Sequence, residues 1–341
     1  MPRQPVENDG EEFVRGRAAL ESKWLMADFV QTIETSLAVG SLYALIALGY
    51  TMVYGILRFI NFAHGDMVVL GAWFSYTIAS SVVKGQPAGT PPPLWLGPAV
   101  CLAAMVICGA VAFVIEQCAY RPLRKAPRIN VLITAIGVSL LLQNVGQLKW
   151  MFGTDPVSMP GLIPDVTLWS ISFGDAAGKV VKVGLVDVVI FVTSGILMFV
   201  LQYLVFHTRV GTAMRAVSFN TETAALMGIP VDRVISMTFV VGAMLAAAAG
   251  FLNAMKYPLL NQPAHTQWVL LGLKAFVAAV IGGIGNIRGA VLGGFIIAFV
   301  EQFGGLYVSS SYRDVYVFGL LILILLVRPS GLLGSTVREK V

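Results

Sequence analysis

Two ionisable residues stand inside otherwise apolar stretches: Lys274, midway along 267–284, and Glu301, well inside 289–307. A charge in hydrocarbon is expensive and calls for a partner or a wet pathway. Pairing between adjacent helices is the favoured reading; the alternative has one of the two facing a solute. Polar residues also interrupt apolar sequence at RFINFAHGDMVVLGA, Arg58 to Ala72, where Asn61, His64, Gly65 and Asp66 cluster. Asp66 falls near a helix start, where the dipole suits a carboxylate. A similar break, VIGGIGNIRGAVLGG, Val280 to Gly294, holds Gly282, Gly283, Gly285, Asn286 and Arg288. Gln143, Asn144 and Gln147 form a third group; Gln143 and Gln147 share one helical face. Such amides either tie helices together or line a passage for a polar solute.

Nothing in this set is a catalytic constellation. GDAAGKV, Gly174 to Val180, is one residue short of a phosphate-cradling loop and lacks its Ser or Thr. The three histidines are scattered with no zinc spacing, and Cys101, Cys108 and Cys118 lie in or at the end of one apolar stretch. Packed small residues explain those cysteines better than a disulfide or a metal site.

The elements that must hold these residues are membrane helices. Of 341 residues, 57% are hydrophobic and 12% charged, about half the charge fraction of soluble domains. A span needs about 20 mainly apolar residues. Nine stretches qualify or nearly so: 29–57, 67–83, 95–119, 129–151, 185–206, 234–255, 267–284, 289–307 and 315–328. The expected fold is therefore an all-α polytopic membrane protein of eight or nine spans. The two resembling breaks, one per half, suggest an inverted internal repeat with broken helices.

Orientation follows from the bases. YRPLRKAPR, carrying Arg121, Arg124, Lys125 and Arg128, should be cytoplasmic. Alternation then places Arg58, the 207–233 interval, Arg288, Arg328, Arg338 and Lys340 on that side as well, twelve bases in all. The opposite loops hold six: Lys84, Lys149, Lys179, Lys182, Lys256 and Arg313. The C-terminus is expected inside and the N-terminus outside. Residues 1–28, with six acids and four bases, lack the features of a signal peptide and are expected to be a disordered tail. The basic balance reflects membrane orientation, not nucleic-acid binding. Outside, 84–94 should be an irregular Pro/Gly connector, and alternation over Val166–Phe173 leaves a small hairpin, a helix or a plain loop open.

Within 207–233, Asn220 and Thr221 offer capping oxygens, Glu222 sits in a first turn, and Ala224, Ala225, Leu226 and Met227 follow. Gly228 ends the pattern, with Ile229 and Pro230 beyond, and Arg209, Arg215 and Arg233 flank it. A short amphipathic docking helix between two spans, or an ordinary ordered loop, fits this pattern.

Several segments together carry a family likeness: SLYALIALGYTMVYGILRFINFAHGD (Ser41–Asp66), AYRPLR (Ala119–Arg124), ITAIGVSLLLQN (Ile133–Asn144), ALMGIPVDRVISMTFVVGAMLAAAAG (Ala225–Gly250), LKAFVAAVIGGIGNIRGAVLGG (Leu273–Gly294) and LLVRPSGLLG (Leu325–Gly334). Over residues 30–341 the chain resembles the LivH-type permease subunits of high-affinity branched-chain amino acid ABC transporters. The resemblance implies a multi-pass inner-membrane importer subunit for leucine, isoleucine or valine. It implies a LivM-type second permease, two LivG/LivF-type ATPases and a periplasmic substrate-binding protein. It also implies that 207–233 is the helix that couples to an ATPase. No cofactor is expected on this chain; ATP and magnesium would be used by the partner ATPases. Related cargoes, urea or short amides, and an ATP-independent carrier or channel are the alternatives.

Overall fold

The computed structural model describes residues 9–85, 92–124, 126–164, 166–173 and 179–334. Its helices are α1 (Asp9–Leu57), α2 (His64–Lys84), α3 (Leu96–Ile115), α4 (Arg128–Gly146), α5 (Leu185–His207), α6 (Arg209–Phe219), α7 (Thr221–Leu226), α8 (Val231–Lys256), α9 (Thr266–Gly282), α10 (Ile287–Tyr307) and α11 (Arg313–Val327). Short strands β1 (Val157–Ser158), β2 (Thr167–Phe173), β3 (Lys179–Gly184) and β4 (Leu259–Leu260) lie in the connections. Among the described residues, eight helical segments are long and apolar enough to cross a membrane, and the 17-residue α9 is a shorter apolar helix. The expected spans are all present as helices.

Each connection falls at one of two ends. At one end β2 and β3 form an antiparallel hairpin, and β1 pairs with β4. There α1 clamps the hairpin: the Gln31 side chain exchanges two hydrogen bonds with the Lys182 backbone, 3.3 and 3.0 Å, and Asp28 pairs with Lys179. The hairpin is the outcome of the period-2 alternation over Val166–Phe173. At the other end lie α6, α7, the α3–α4 connection and residues 328–334.

The expectation of an unstructured segment through Asp28 is corrected: α1 begins at Asp9 and runs without interruption into the membrane. The acidic, polar composition hid that continuity, because hydropathy finds only the apolar part of a helix. Residues 1–8 lie outside the described residues, as do the core of the connector 84–94 and Gly174 to Gly178 of GDAAGKV.

Helix pairing reveals an internal two-fold. α1 packs on α10 as α8 packs on α3; α1 meets α9 as α8 meets α2; and α2–α3 contacts mirror α9–α10 contacts. At the crossings Gly49 lies against Gly242 and Gly65 against Gly272, close backbone approaches of the kind small residues allow. α1 ends at the α7 end, residues 58–63 turn back, and α2 begins inside the bundle. α8 ends at the hairpin end, residues 257–265 turn back, and α9 begins within it. The repeat is therefore α1–α4 against α8–α11, inverted, with α5 to α7 as the connector.

This corrects the pairing expected from sequence. The break at Arg58 and the one at Gly283–Asn286 line a single hollow at the α7 end, with Tyr54, Gly55, Gly285 and Asn286. Inverted counterparts would lie at opposite faces. The true counterpart of 58–63 is 257–265, YPLLNQPAH, whose lack of glycine made it look like an ordinary loop.

Candidate functional site

The first region is the re-entrant junction. Arg58 ends α1 in the left-handed region (φ 54°), its N–H donating to Tyr54 O at 2.8 Å. The chain then climbs back, so that His64 Nε2 stands 3.2 Å from Ile46 O. Ile46 precedes the end of α1 at Leu57 by eleven residues, about 16 Å at 1.5 Å per residue. α2 thus starts deep in the bundle, and a methyl at Gly49 would run into the His64 ring. Asn61 accepts from the Tyr120 hydroxyl at 2.7 Å, fixing the return segment to α3. Gly65 makes the crossing with Gly272. Asp66 Oδ1 accepts from Gln143 Nε2 at 2.9 Å, joining α2 to α4. Asn144 and Gln147 bond only to carbonyls of their own helix, at Leu140 and Gln143. Of the three amides, Gln143 alone ties helices together among the described contacts.

The second region is the ion cluster toward the hairpin end. Lys274 Nζ lies 2.8 Å from Glu301 Oε1, as pairing between adjacent helices requires. Two further members escaped sequence reasoning: Asp314, 2.7 Å from Lys274, and Tyr43, whose hydroxyl donates to Glu301 Oε2 at 2.7 Å. Asp314 lies in the first turn of α11, seven residues past the end of the 289–307 stretch, and no spacing rule joins Tyr43 to residue 301.

A third region was not foreseen. Glu116, 0% exposed, accepts from Ser236 Oγ of α8 at 2.6 Å and pairs with Arg124. Arg124 also pairs with Asp232, and Arg121 reaches Asp232 at 3.0 Å. In the sequence Glu116 stands near the end of the 95–119 stretch, a position from which a carboxylate can reach the interface. Instead a π-helical turn, Glu116–Tyr120, rotates it inward beneath α8.

The fourth region is the α6–α7 connector. The expected helix is α7, and an unforeseen helix precedes it: α6 carries Arg215, whose guanidinium lies over Phe206 at 5.5 Å, and Asn220 breaks the chain between the two. Asn220 Oδ1 then caps α7 by accepting from Thr223 N at 2.9 Å. Thr221 and Glu222 form the first turn, as the capping pattern predicted. At the far end Ile229 N donates to Ala224 O and Gly228 N to Ala225 O, with Gly228 at φ 81°. This double bond is a Schellman stop. Ala224 is buried beneath α7, whereas Ala225 faces a hollow shared with Arg121, Asp232 and Ser236. Phe219, Leu226 and Met227 are 87, 88 and 78% exposed. Ser218 Oγ donates to Gly55 O at 2.7 Å, so the connector grips the end of α1 beside the junction.

Gly282, Gly283 and Gly285 build the turn between α9 and α10. Gly283 and Gly285 take φ values of 104° and 94°, and Asn286 caps α10 through Arg288 N and Gly289 N. The last segment closes over it: Leu332 N donates to Ile281 O at 2.8 Å and Leu333 N to Gly282 O at 3.0 Å. These bonds satisfy carbonyls left free at the end of α9.

Comparison with known proteins places this architecture. The family model described as branched-chain amino acid transport system / permease component matches residues 32–326. The chain is 40% identical over 313 residues to the high-affinity branched-chain amino acid transport system permease protein BraD of Pseudomonas aeruginosa, covering 92% of this chain and 98% of BraD. It is 40% identical over 315 residues to the corresponding permease protein LivH of Escherichia coli K12, with the same coverages. A probable LivH of Methanocaldococcus jannaschii is 26% identical over 89% of this chain and 91% of its own.

Proposed function

The chain belongs to the branched-chain amino acid transport system permease family, and from that premise we propose how it works. It is a multi-pass membrane permease component of a binding-protein-dependent importer for leucine, isoleucine and valine. ATP is hydrolysed in trans by two LivG/LivF-type ATPases that carry the nucleotide and magnesium. A LivM-type permease completes the pathway, and a periplasmic binding protein delivers the solute. The α7 end faces the cytoplasm and the hairpin end the periplasm.

The observation that carries this reading is α7 itself. α7, a six-residue helix capped at both ends, presents Leu226 and Met227 outward beside Phe219 at the end of α6, at the end where the bases concentrate. Exposed apolar residues beyond the membrane are expected to meet a protein partner. Motion of such a partner reaches the bundle by two links. Ser218 pulls on Gly55 at the end of α1, and Pro230 leads directly into Asp232, Arg124 and Glu116 at the start of α8 and the end of α3. Alternating access follows when these links shift the re-entrant helices of one repeat against the other.

The test is uptake of radiolabelled leucine by proteoliposomes holding the transporter purified with its co-expressed partners. ATP-dependent accumulation that also requires the binding protein is expected. Uptake of urea or acetamide in preference to leucine would move the cargo, and accumulation by this chain alone without ATP would overturn the importer reading.

A further inference from the structure

Asp66 is an acid in the middle of an apolar bundle, and half of its carboxylate is unused. The residue is 7% exposed. Oδ1 takes the Gln143 bond, and Oδ2 has no hydrogen-bond partner among the described residues. The described ion pairs do not include it. Every other buried carboxylate of the bundle interior, Glu116 and Glu301, has a base. An intramembrane acid without one calls for a functional account.

Its surroundings are arranged around an incoming donor. Gln143 Nε2 donates both to Asp66 Oδ1 and to Ser139 Oγ, the latter at 3.2 Å. Both amide hydrogens being spent, Gln143 Oε1 is left as an acceptor, and Ser139 Oγ keeps acceptor capacity beside it. Three oxygens, Asp66 Oδ2, Gln143 Oε1 and Ser139 Oγ, thus belong to one seam between α2 and α4. The structure holds the seam closed over Oδ2, which has no exposed surface, so α4 is the element that must shift to admit a donor. α4 is held at its ends, through Val131 and Ala135 against Tyr120 and Phe239, and through Gly146 against Pro263. Between them Ser139 and Gln143 are half-buried and Asn144 is exposed. Trp73, seven residues after Asp66 on the same face of α2, has a second unpartnered polar atom, Nε1.

We propose that Asp66, oriented by Gln143 and Ser139, is the subsite that receives the ammonium group of the amino acid as it crosses the middle of the membrane. An –NH3+ brings three donors and one positive charge. The seam offers three acceptors and one negative charge. A neutral amide or urea lacks the charge, and a carboxylic acid without an amine meets an oxygen-lined seam that repels it. This inference rests on the proposed cargo and assigns the group by which the permease recognises it.

The experiment uses the assembled transporter with Cys101, Cys108 and Cys118 replaced by alanine and Asn144→Cys as a reporter next to the seam. Alkylation of the reporter is timed in the presence of leucine, isoamylamine or isovalerate, which carry both groups, the amine alone and the acid alone. Leucine and isoamylamine are expected to slow alkylation and isovalerate to leave it unchanged. Asp66→Asn, which keeps the shape, should remove the protection and reduce leucine uptake by about 10- to 100-fold, the range for losing a charged hydrogen bond. Asp66→Glu should retain part of both. Protection by isovalerate equal to that by isoamylamine, or full uptake by Asp66→Asn, would overturn the subsite. If Asp66→Asn does not assemble, the amine-against-acid comparison in the unsubstituted Asp66 background still decides. Failure of that background to take up leucine at all would instead overturn the cargo assignment.

Discussion

Glu116 and Glu301 are buried toward opposite ends of the bundle and are held in the same way. Each lies on the third helix of its repeat, α3 or α10, and each accepts a hydroxyl from the first helix of the other repeat: Ser236 of α8 for Glu116, Tyr43 of α1 for Glu301. Ser236 stands six residues before Gly242 and Tyr43 six residues before Gly49, the two glycines that meet at the crossing. Each glutamate then takes a base, Arg124 or Lys274, which also holds a second, more exposed aspartate, Asp232 or Asp314. Two buried clusters therefore tie the repeats together, one toward each face: the first through the Arg124–Asp232 pair and the Ser236–Glu116 hydrogen bond, the second through the Tyr43–Glu301 hydrogen bond, its ion pairs staying within α9–α11.

Loss of the base of the second cluster should destabilise strongly, since an unpaired charge is left in the bundle. Lys274→Ala is expected to cost about 3–5 kcal/mol. Lys274→Ala combined with Glu301→Ala should be less harmful than the sum, measured by a double-mutant cycle of unfolding in detergent. Because Asp314 also loses its partner, adding Asp314→Asn to Lys274→Ala should recover part of the loss. Simple additivity would remove the pairing.

Glu116→Ala should cost less than Lys274→Ala, about 1–3 kcal/mol, because Arg124 keeps Asp232 while Ser236 loses its acceptor. Glu116→Gln, which keeps an acceptor for Ser236, should lose less. Thermal unfolding of the purified chain checks the order Ala below Gln below wild type.

Leu226→Arg or Ala225→Arg should leave the chain folded and inserted while reducing ATP-dependent uptake at least tenfold, because the apolar surface of α7 no longer fits its partner. Gly228→Arg is a poorer test. At φ 81° a side chain adds backbone strain of about 1–2 kcal/mol, so lost transport there would mix folding with coupling. Normal uptake by Leu226→Arg with the ATPases bound would remove the docking role.

Gly65→Leu should block the crossing with Gly272 and prevent α2 from seating at its depth. The measurable outcome is a loss of stability of about 1–3 kcal/mol from overpacking, read as unfolding at a lower temperature. Gly137→Leu, at an open position on α4, is the control and should leave stability within about 0.5 kcal/mol.

Much of this was legible in the residues. Hydropathy found the spans because length and apolarity are local properties. The caps at Asn220 and Gly228 were readable because each needs one residue type at one position. Pairing of Lys274 with Glu301 followed from the expense of leaving either alone. What was hidden is non-local. A π turn that rotates Glu116 inward leaves no composition signal; Tyr43 and Ser236 join their partners across the two-fold, and Asp314 joins Lys274 across two helices of one repeat. The repeat was suspected but assigned to the wrong segments, since glycine and asparagine made the Arg58 and Gly283 turns resemble each other while the counterpart at 257–265 has neither glycine nor charge.

The measurement that bears most directly on the central claim is photo-crosslinking from position 226 of α7, in native membranes, with the captured protein identified by mass. The account predicts capture of a P-loop ATPase, with a second permease and no free form of this chain in the same purified complex. Capture of lipid alone, or of another copy of this chain with no ATPase present, would contradict it.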